Sequence, residues 1–374
     1  MSDGTHTRRT VLKTSAAVAG LGAVAGCSEG SESDEPTTDD GTNSYSVTMA
    51  PVGSVEFDDT PQTWVANNGS WADMGAALGV EPPEGLYLTS RYHTQYYDEI
   101  PGVSVDKSDM VSLWEGGLDL EQFLALGEES DVFVMDPNFI PNRSDNWDAG
   151  KIEQVREAGT PFFGNSIFSR GYEWHDYEYY TLYEAFEKLA AVFQREERYE
   201  AFADLHETFQ SNVEAVRPPE SDRPSVAVLW PQPANEPEQF SPYLVGDGTS
   251  FKQWRDLGVR DALARTNVRD FHENRGRIDY ETLLDVDPDV LMIRGHEAKT
   301  AGEFEDTVVS FMESDDTASD LTAVQNGDVY RGGPLYQGPI TNLVVTERAA
   351  RQLYGAEGDL FERQRVADIV AGDV

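Results

Sequence analysis

Short apolar runs alternate with stretches of helical spacing along this chain. Thr63-Trp64-Val65-Ala66, closed by Asn67-Asn68-Gly69-Ser70, predicts a strand and its turn. Trp71 to Leu78 then predicts a helix that stops at Gly79. Leu86-Tyr87-Leu88 predicts a second strand, Asp119 to Leu126 a helix, and Val132 to Met135 a buried strand ended by Asp136-Pro137. Ile152 to Ala158 predicts a helix and Pro161-Phe162-Phe163 a strand. This alternation is the pattern of a parallel α/β sheet.

A helical stretch follows. Tyr177 to Phe193 carries aromatic and apolar residues at helical spacing, with Tyr177, Tyr179 and Tyr180 in its first turn. Glu196 to Val216 is cleaner, with Tyr199, Phe202, Leu205, Phe209, Val213 and Val216 on one side. Pro218-Pro219 breaks the helix, and Ser225 to Trp230 opens a second α/β half. That half holds a helix over Phe251 to Leu257, the segments Asp279 to Ile293 and Val329 to Tyr336, and a closing helix over Thr341 to Tyr354. The halves match internally: Asp119-Leu120-Glu121 before Asp131-Val132 resembles Asp279-Tyr280-Glu281 before Asp289-Val290. A short helix opening with Asp-x-Glu, followed by Asp and an apolar strand, implies duplication.

The N-terminus changes the picture. Arg8-Arg9 precedes a short apolar run, Ala16 to Ala25, that cannot span a bilayer. This predicts a twin-arginine export signal over residues 1–26. Val24-Ala25-Gly26-Cys27 reads as a lipobox, with the sole cysteine as the lipidated residue and the membrane as a partner through that anchor. Residues 27–44 read as an acidic, flexible tether. The formal net charge of −40 excludes nucleic acid as a partner. The acidity is spread along the chain, which implies a halophilic, archaeal source, where salt screens self-repulsion.

Trp114 to Glu121, Ile278 to Leu284 with Asp287-Pro288-Asp289-Val290, and Leu321 to Tyr330 together resemble three segments of one family. These are the substrate-binding proteins of ABC importers for iron-siderophores, haem and cobalamin. The family's L-x-P-D pattern is replaced by Leu126-Gly127-Glu128-Glu129-Ser130-Asp131. The resemblance implies two pseudo-symmetric α/β lobes joined by a single long rigid helix. The lobes would cover 45–175 and 220–374, with 176–219 as the helical segment between them. It implies small closure, no resident cofactor, a monomer, and docking on a permease dimer through Glu121 and Glu281.

Ligands in open α/β sheets bind beyond the carboxyl ends of the strands. Those ends lead to Trp71, to Arg91 and Tyr92, and to Arg143 and Trp147. They also lead to Arg170, Tyr172, Trp174 and His175, to Trp230, to Arg294 and His296, and to Tyr336. Arginine suits carboxylate, phosphate or the charged rim of a metal chelate, and large aromatics suit a bulky ring. No His pair has metal-ligand spacing, so a chelated metal is expected rather than a bare ion. Enzyme fingerprints are lacking: there is no G-x-S-x-G, P-loop or dinucleotide motif. The expected ligand is a ferric hydroxamate siderophore, with cobalamin or haem as alternatives. A membrane-tethered extracellular hydrolase is the alternative of a different class.

Overall fold

The computed structural model describes residues 44–114 and 119–374. The export signal, Cys27 and the tether up to residue 43 lie outside the described residues, as do Glu115 to Leu118. The described chain opens with a hairpin absent from the expectations above, β1 (Tyr45–Met49) and β2 (Gly53–Phe57). Val47, Met49, Val55 and Phe57 point inward, as period-two burial requires.

The first lobe is a parallel sheet of β3 (Trp64–Ala66), β4 (Gly85–Leu86), β5 (Val111–Ser112) and β6 (Val132–Val134), in the order β5-β4-β3-β6. Its helices are α1 (Gly69–Ala77), α2 (Leu120–Glu129) and α3 (Ala149–Glu157). The strand expected over Pro161 to Phe163 is reduced to one bridge, Phe133 to Phe162. Pro161 has no N–H with which to extend the ladder.

The helix expected from Tyr177 begins only at α4 (Leu182–Phe193). Thr181 and Glu184 form a capping box there and stop it from reaching further back. Tyr177 instead donates its hydroxyl to Asp136, 2.7 Å away. Next, α5 (Glu196–Val216) runs over the whole expected span and buries Phe202, Leu205, Phe209 and Val213. It carries the chain from the first sheet to the second.

The second lobe holds β7 (Ser225–Gln232), β8 (Gln239–Tyr243), α6 (Lys252–Leu257), β9 (Arg260–Asp261), the turn α7 (Phe271–Asn274) and β10 (Ile278–Asp279). After these come α8 (Tyr280–Val286) and β11 (Val290–Ile293). Three short helices lead to β12 (Val329–Arg331): α9 (Ala301–Phe304), α10 (Ser310–Ser314) and α11 (Thr322–Asn326). The closing helices are α12 (Pro339–Tyr354) and α13 (Arg363–Ala371). Strands β9, β11 and β12 run parallel in the β7 sheet, whereas β8 and β10 pair antiparallel.

The internal match has a physical basis. Asp119 and Asp279 each cap their helix, accepting from Glu121 N at 3.0 Å and Thr282 N at 2.9 Å. Asp131 accepts from Thr63 N and Oγ1, and Asp289 from Ser225 N and Oγ. Thr63 and Ser225 stand at the starts of the first strands of the two sheets, β3 and β7. Each Asp therefore fastens its strand to the neighbouring one.

The lobes share one apolar core that runs from Trp71 through Phe202 to Ile340 and Phe361. At its centre Thr341 N, in the first turn of α12, donates to Asp73 of α1 at 3.0 Å. A Cβ on Gly338 would lie 2.4 Å from Asp73 Oδ2, so only glycine permits this approach. Beside it, buried Glu297 accepts from Tyr96, Arg348 and Gly333 N. Among the described residues, no helix is long and apolar enough to cross a membrane.

Candidate functional site

A cleft of about 280 Å³ opens between the lobes at the carboxyl ends of the strands. The first lobe supplies Tyr87, Leu88, Arg91, Trp114, Arg143, Phe168 and Tyr172. The second supplies Tyr243, Phe271, His272, Arg275, Leu335 and Tyr336. A neighbouring hollow of about 570 Å³ shares Arg143, Tyr172, His272 and Arg275 and adds Trp174 and Arg269. Together they fall in the size class of small-molecule sites, roughly 300–1,000 Å³.

Three arginines line the smaller cleft itself. Arg143 lies 4.9 Å over the Tyr172 ring and donates to its hydroxyl. Arg91 lies 5.0 Å over Trp230, and Arg275 5.2 Å over Phe271. Trp230 is held by Gly295, whose φ of +87° and missing Cβ let the indole lie against the backbone. Among the described residues, none of the three arginines has a carboxylate within 4.0 Å. In a chain with 68 acidic residues this is a basic enclave. Burial pushes Tyr87 and Tyr172 up to about 12 against the opposing pull of the arginines, so both phenols stay protonated.

The strand-end residues divide into two groups. Arg91, Arg143, Tyr172, Trp174 and Tyr336 line the cleft or its neighbour, and Trp230 backs Arg91. Arg170 pairs with Asp247 across 3.7 Å and lies over Tyr179. The remaining residues are away from the cleft wall. Trp71 is fully buried on α1, and Trp147 packs edge-on against Phe123 in the first lobe. Tyr92 is buried with its hydroxyl against that of Tyr97. His175 is stacked on Tyr179, 3.7 Å between centroids, and burial pulls its imidazole down to about 4. His296 packs by Phe304. Arg294 is sealed behind Phe251 and Tyr243, and burial pulls its guanidinium down to about 10. The strand-end rule selects loops, not side-chain directions, and these six turn inward to fill cores.

Sequence reasoning missed Tyr87, Tyr243, His272 and Arg275. His272 and Arg275 sit on α7, which no strand end announces; the available signal was Asp270-x-His272, a cap spacing. Among the described residues, no three His, Cys, Asp or Glu side chains converge as a metal centre. Glu121 and Glu281 are both exposed, each in the first turn of its helix.

Two α/β lobes joined through α5, with a ligand-sized cleft between them, define a class III solute-binding protein. A family model described as periplasmic binding protein matches residues 131–335, and the chain belongs to that family. No curated protein matches the sequence. The chain is similar in structure to the haem-binding protein HmuT, at 20% identity and a TM-score of 0.57, over 86% of this chain and 94% of that one. It is also similar to an ABC-type Fe3+-hydroxamate transport protein of Saccharomonospora viridis, at 19% identity and a TM-score of 0.53, over 83% and 99%. A third likeness is to the triscatecholate siderophore-binding protein FeuA of Bacillus subtilis, at 16% identity and a TM-score of 0.50, over 77% and 91%. The family binds and delivers solutes and is not catalytic, which sets aside the tethered hydrolase.

Proposed function

We propose that the protein captures an anionic metal chelate in the interlobe cleft and hands it to an ABC permease. The observation that carries this reading is the enclave of Arg91, Arg143 and Arg275 among aromatic side chains, free of carboxylate partners among the described residues. Similarity in fold to haem and ferric-siderophore binders supports the chelate class. Haem comes first, because its two propionates suit paired guanidinium groups. A ferric trihydroxamate is neutral around its metal and needs no such cluster. The hydroxamate siderophore expected from the sequence therefore ranks below haem, with cobalamin beside it.

Delivery follows from Glu121 and Glu281, one exposed carboxylate per lobe, facing arginines on the two halves of a permease dimer. Export by the twin-arginine route and lipidation at Cys27 would hold the binder outside the cell membrane. Such anchoring would raise its effective concentration at the permease.

The test is quenching of tryptophan fluorescence in molar salt by ferric haem, cyanocobalamin and a ferric hydroxamate. Haem should quench at micromolar concentration or below, through Trp114, Trp174 and Trp230. If none of the three quenches, the chelate reading is wrong.

A further inference from the structure

The segment between β9 and β10 carries Arg265, Arg269, Arg275 and Arg277 within thirteen residues. Arg275 lines the cleft. The other three have no hydrogen bond and no carboxylate within 4.0 Å among the described residues. Every other described arginine outside the cleft is paired with a carboxylate or donates to a main-chain carbonyl. The acids inside the segment are placed elsewhere. Asp270 is taken by His272 and Leu244 N, and Glu273 lines the hollow beside the cleft.

Arg269 and Arg277 line a further hollow of about 500 Å³, bounded by α8 rather than by the first lobe. Arg269 and Asn274 border both this hollow and the one beside the cleft, so α7 stands between the two. The polar groups of the hollow sort by what remains free. Thr266 Oγ1 donates to Leu263 O at 2.7 Å and accepts from Val268 N at 3.0 Å. Thr282 Oγ1 donates to Asp279 at 2.8 Å. Asn274 Oδ1 accepts from Gly276 N at 2.8 Å, which leaves its Nδ2 as a free donor. The free groups are therefore two guanidinium groups and the amides of Asn267 and Asn274, against one carboxylate in the lining, Asp285. Val268, Ile278 and Val286 add an apolar wall.

We propose that this hollow binds a small organic anion with two or more carboxylates, which bridges Arg269 and Arg277. A guanidinium presents a planar pair of donors that matches a carboxylate. The two arginines come from the two arms of the segment, one before α7 and one after it, and the apolar wall takes the carbon skeleton. The site goes beyond the chelate reading and does not rest on it. Its consequence for the cleft is mechanical: bridged arms hold α7, whose His272 belongs to the cleft wall.

The probe is tricarballylate, which has three carboxylates and no hydroxyl with which to chelate a metal. It is titrated by calorimetry into the full-length protein at fixed ionic strength. Wild-type protein should bind one equivalent, and amide hydrogen exchange should slow in residues 265–277. Arg277→Gln should weaken binding roughly tenfold with an unchanged near-UV circular dichroism spectrum. Arg265→Gln, outside the hollow, and Arg143→Gln, in the cleft, should keep the wild-type affinity. No binding up to millimolar concentration overturns the inference. An equal loss in Arg265→Gln also overturns it, because diffuse charge attraction rather than a site would then be at work. A loss in Arg143→Gln with Arg277→Gln unaffected overturns it by placing the anion in the cleft. Binding without slowed exchange in 265–277 overturns the bridge. Failure of haem, cobalamin and hydroxamate to bind would sink the chelate reading and leave the tricarballylate result to decide this one.

Discussion

The two lobes are built alike at one end of their sheets and differently at the other. At the entry end, Asp131 and Asp289 hold Thr63 and Ser225 in the same way, and Asp119 and Asp279 cap equivalent helices. Register places Val132 against Trp64 and Val290 against Val226, so Asp136 and Arg294 are equivalent exit positions. They could hardly differ more. Asp136 is buried yet satisfied, accepting from Asn138 N, Ser166 N and Tyr177. Arg294 is buried with Nε and Nη1 lacking partners among the described residues. Starting a strand demands the same hydrogen bonds in either lobe. The exit ends must build two unlike walls of one cleft, and there the copies have separated.

The largest effect should come from breaking the outward symmetry. Replacing both Glu121 and Glu281 with Ala should abolish uptake in whole cells while the purified protein binds its ligand unchanged. Normal uptake by that variant would leave the two carboxylates with no role beyond favourable negative charge in the first turn of a helix.

The junction between the lobes carries a second contrast, of about 3 kcal/mol. Burial raises Asp73 to about 6, despite hydrogen bonds from Tyr97 and Thr341. A folded-state value above the ordinary 3.8 means the native protein holds this proton more tightly than the unfolded chain. Its contribution to stability therefore grows as pH falls from about 6 towards 4 and is unfavourable above that window. Relative to Asp73→Asn, wild-type protein should gain about 3 kcal/mol of unfolding free energy between pH 7 and about pH 3, measured by denaturant titration at fixed salt. Glu297 behaves oppositely. Burial pushes its value up, but Arg348 and Tyr96 more than offset this and leave it lowered. Its contribution is present at neutral pH and lost as pH falls through its folded-state value. Parallel pH dependences for Asp73→Asn and Glu297→Gln would dissolve the contrast.

The exit positions come next. Asp136→Ala strands three donors and should cost about 3 kcal/mol. Arg294→Met removes an uncompensated buried charge and should be neutral or stabilising by about 1 kcal/mol. Equal losses at both positions would show that Arg294 has a partner of its own. Smallest is the entry-end pair: Asp131→Ala and Asp289→Ala should each cost about 1 kcal/mol. A difference of more than about 1 kcal/mol between them would mean the two strand starts are not equivalent.

Much of this organisation is local and therefore legible in order along the chain. Apolar periodicity and Pro218-Pro219 mark α5 to the residue. Asp-x-Glu marks two helix starts, because an Asp cap and its acceptor geometry involve only the next few residues. Strand ends also point to the loops that carry Arg91, Arg143, Tyr172 and Tyr336. Where local rules compete, sequence reading slips: Thr181 with Glu184 outweighs the helical spacing of Tyr177 to Tyr180.

What the sequence by itself determined is the repeated lobe plan, its acidic surface and the loops from which a site could be drawn. Only the tertiary structure decided which side chains share the cleft. Arg91, Arg143 and Arg275 come from loops far apart in sequence, and their approach depends on how the two lobes pack about α1, α5 and α12. The same packing sealed Trp71, Trp147 and Arg294 inside, because a side chain's direction is settled by the core it can fill. It also set His272, on a four-residue turn with no periodicity to announce it, against Asp270 on one side and the open cleft on the other.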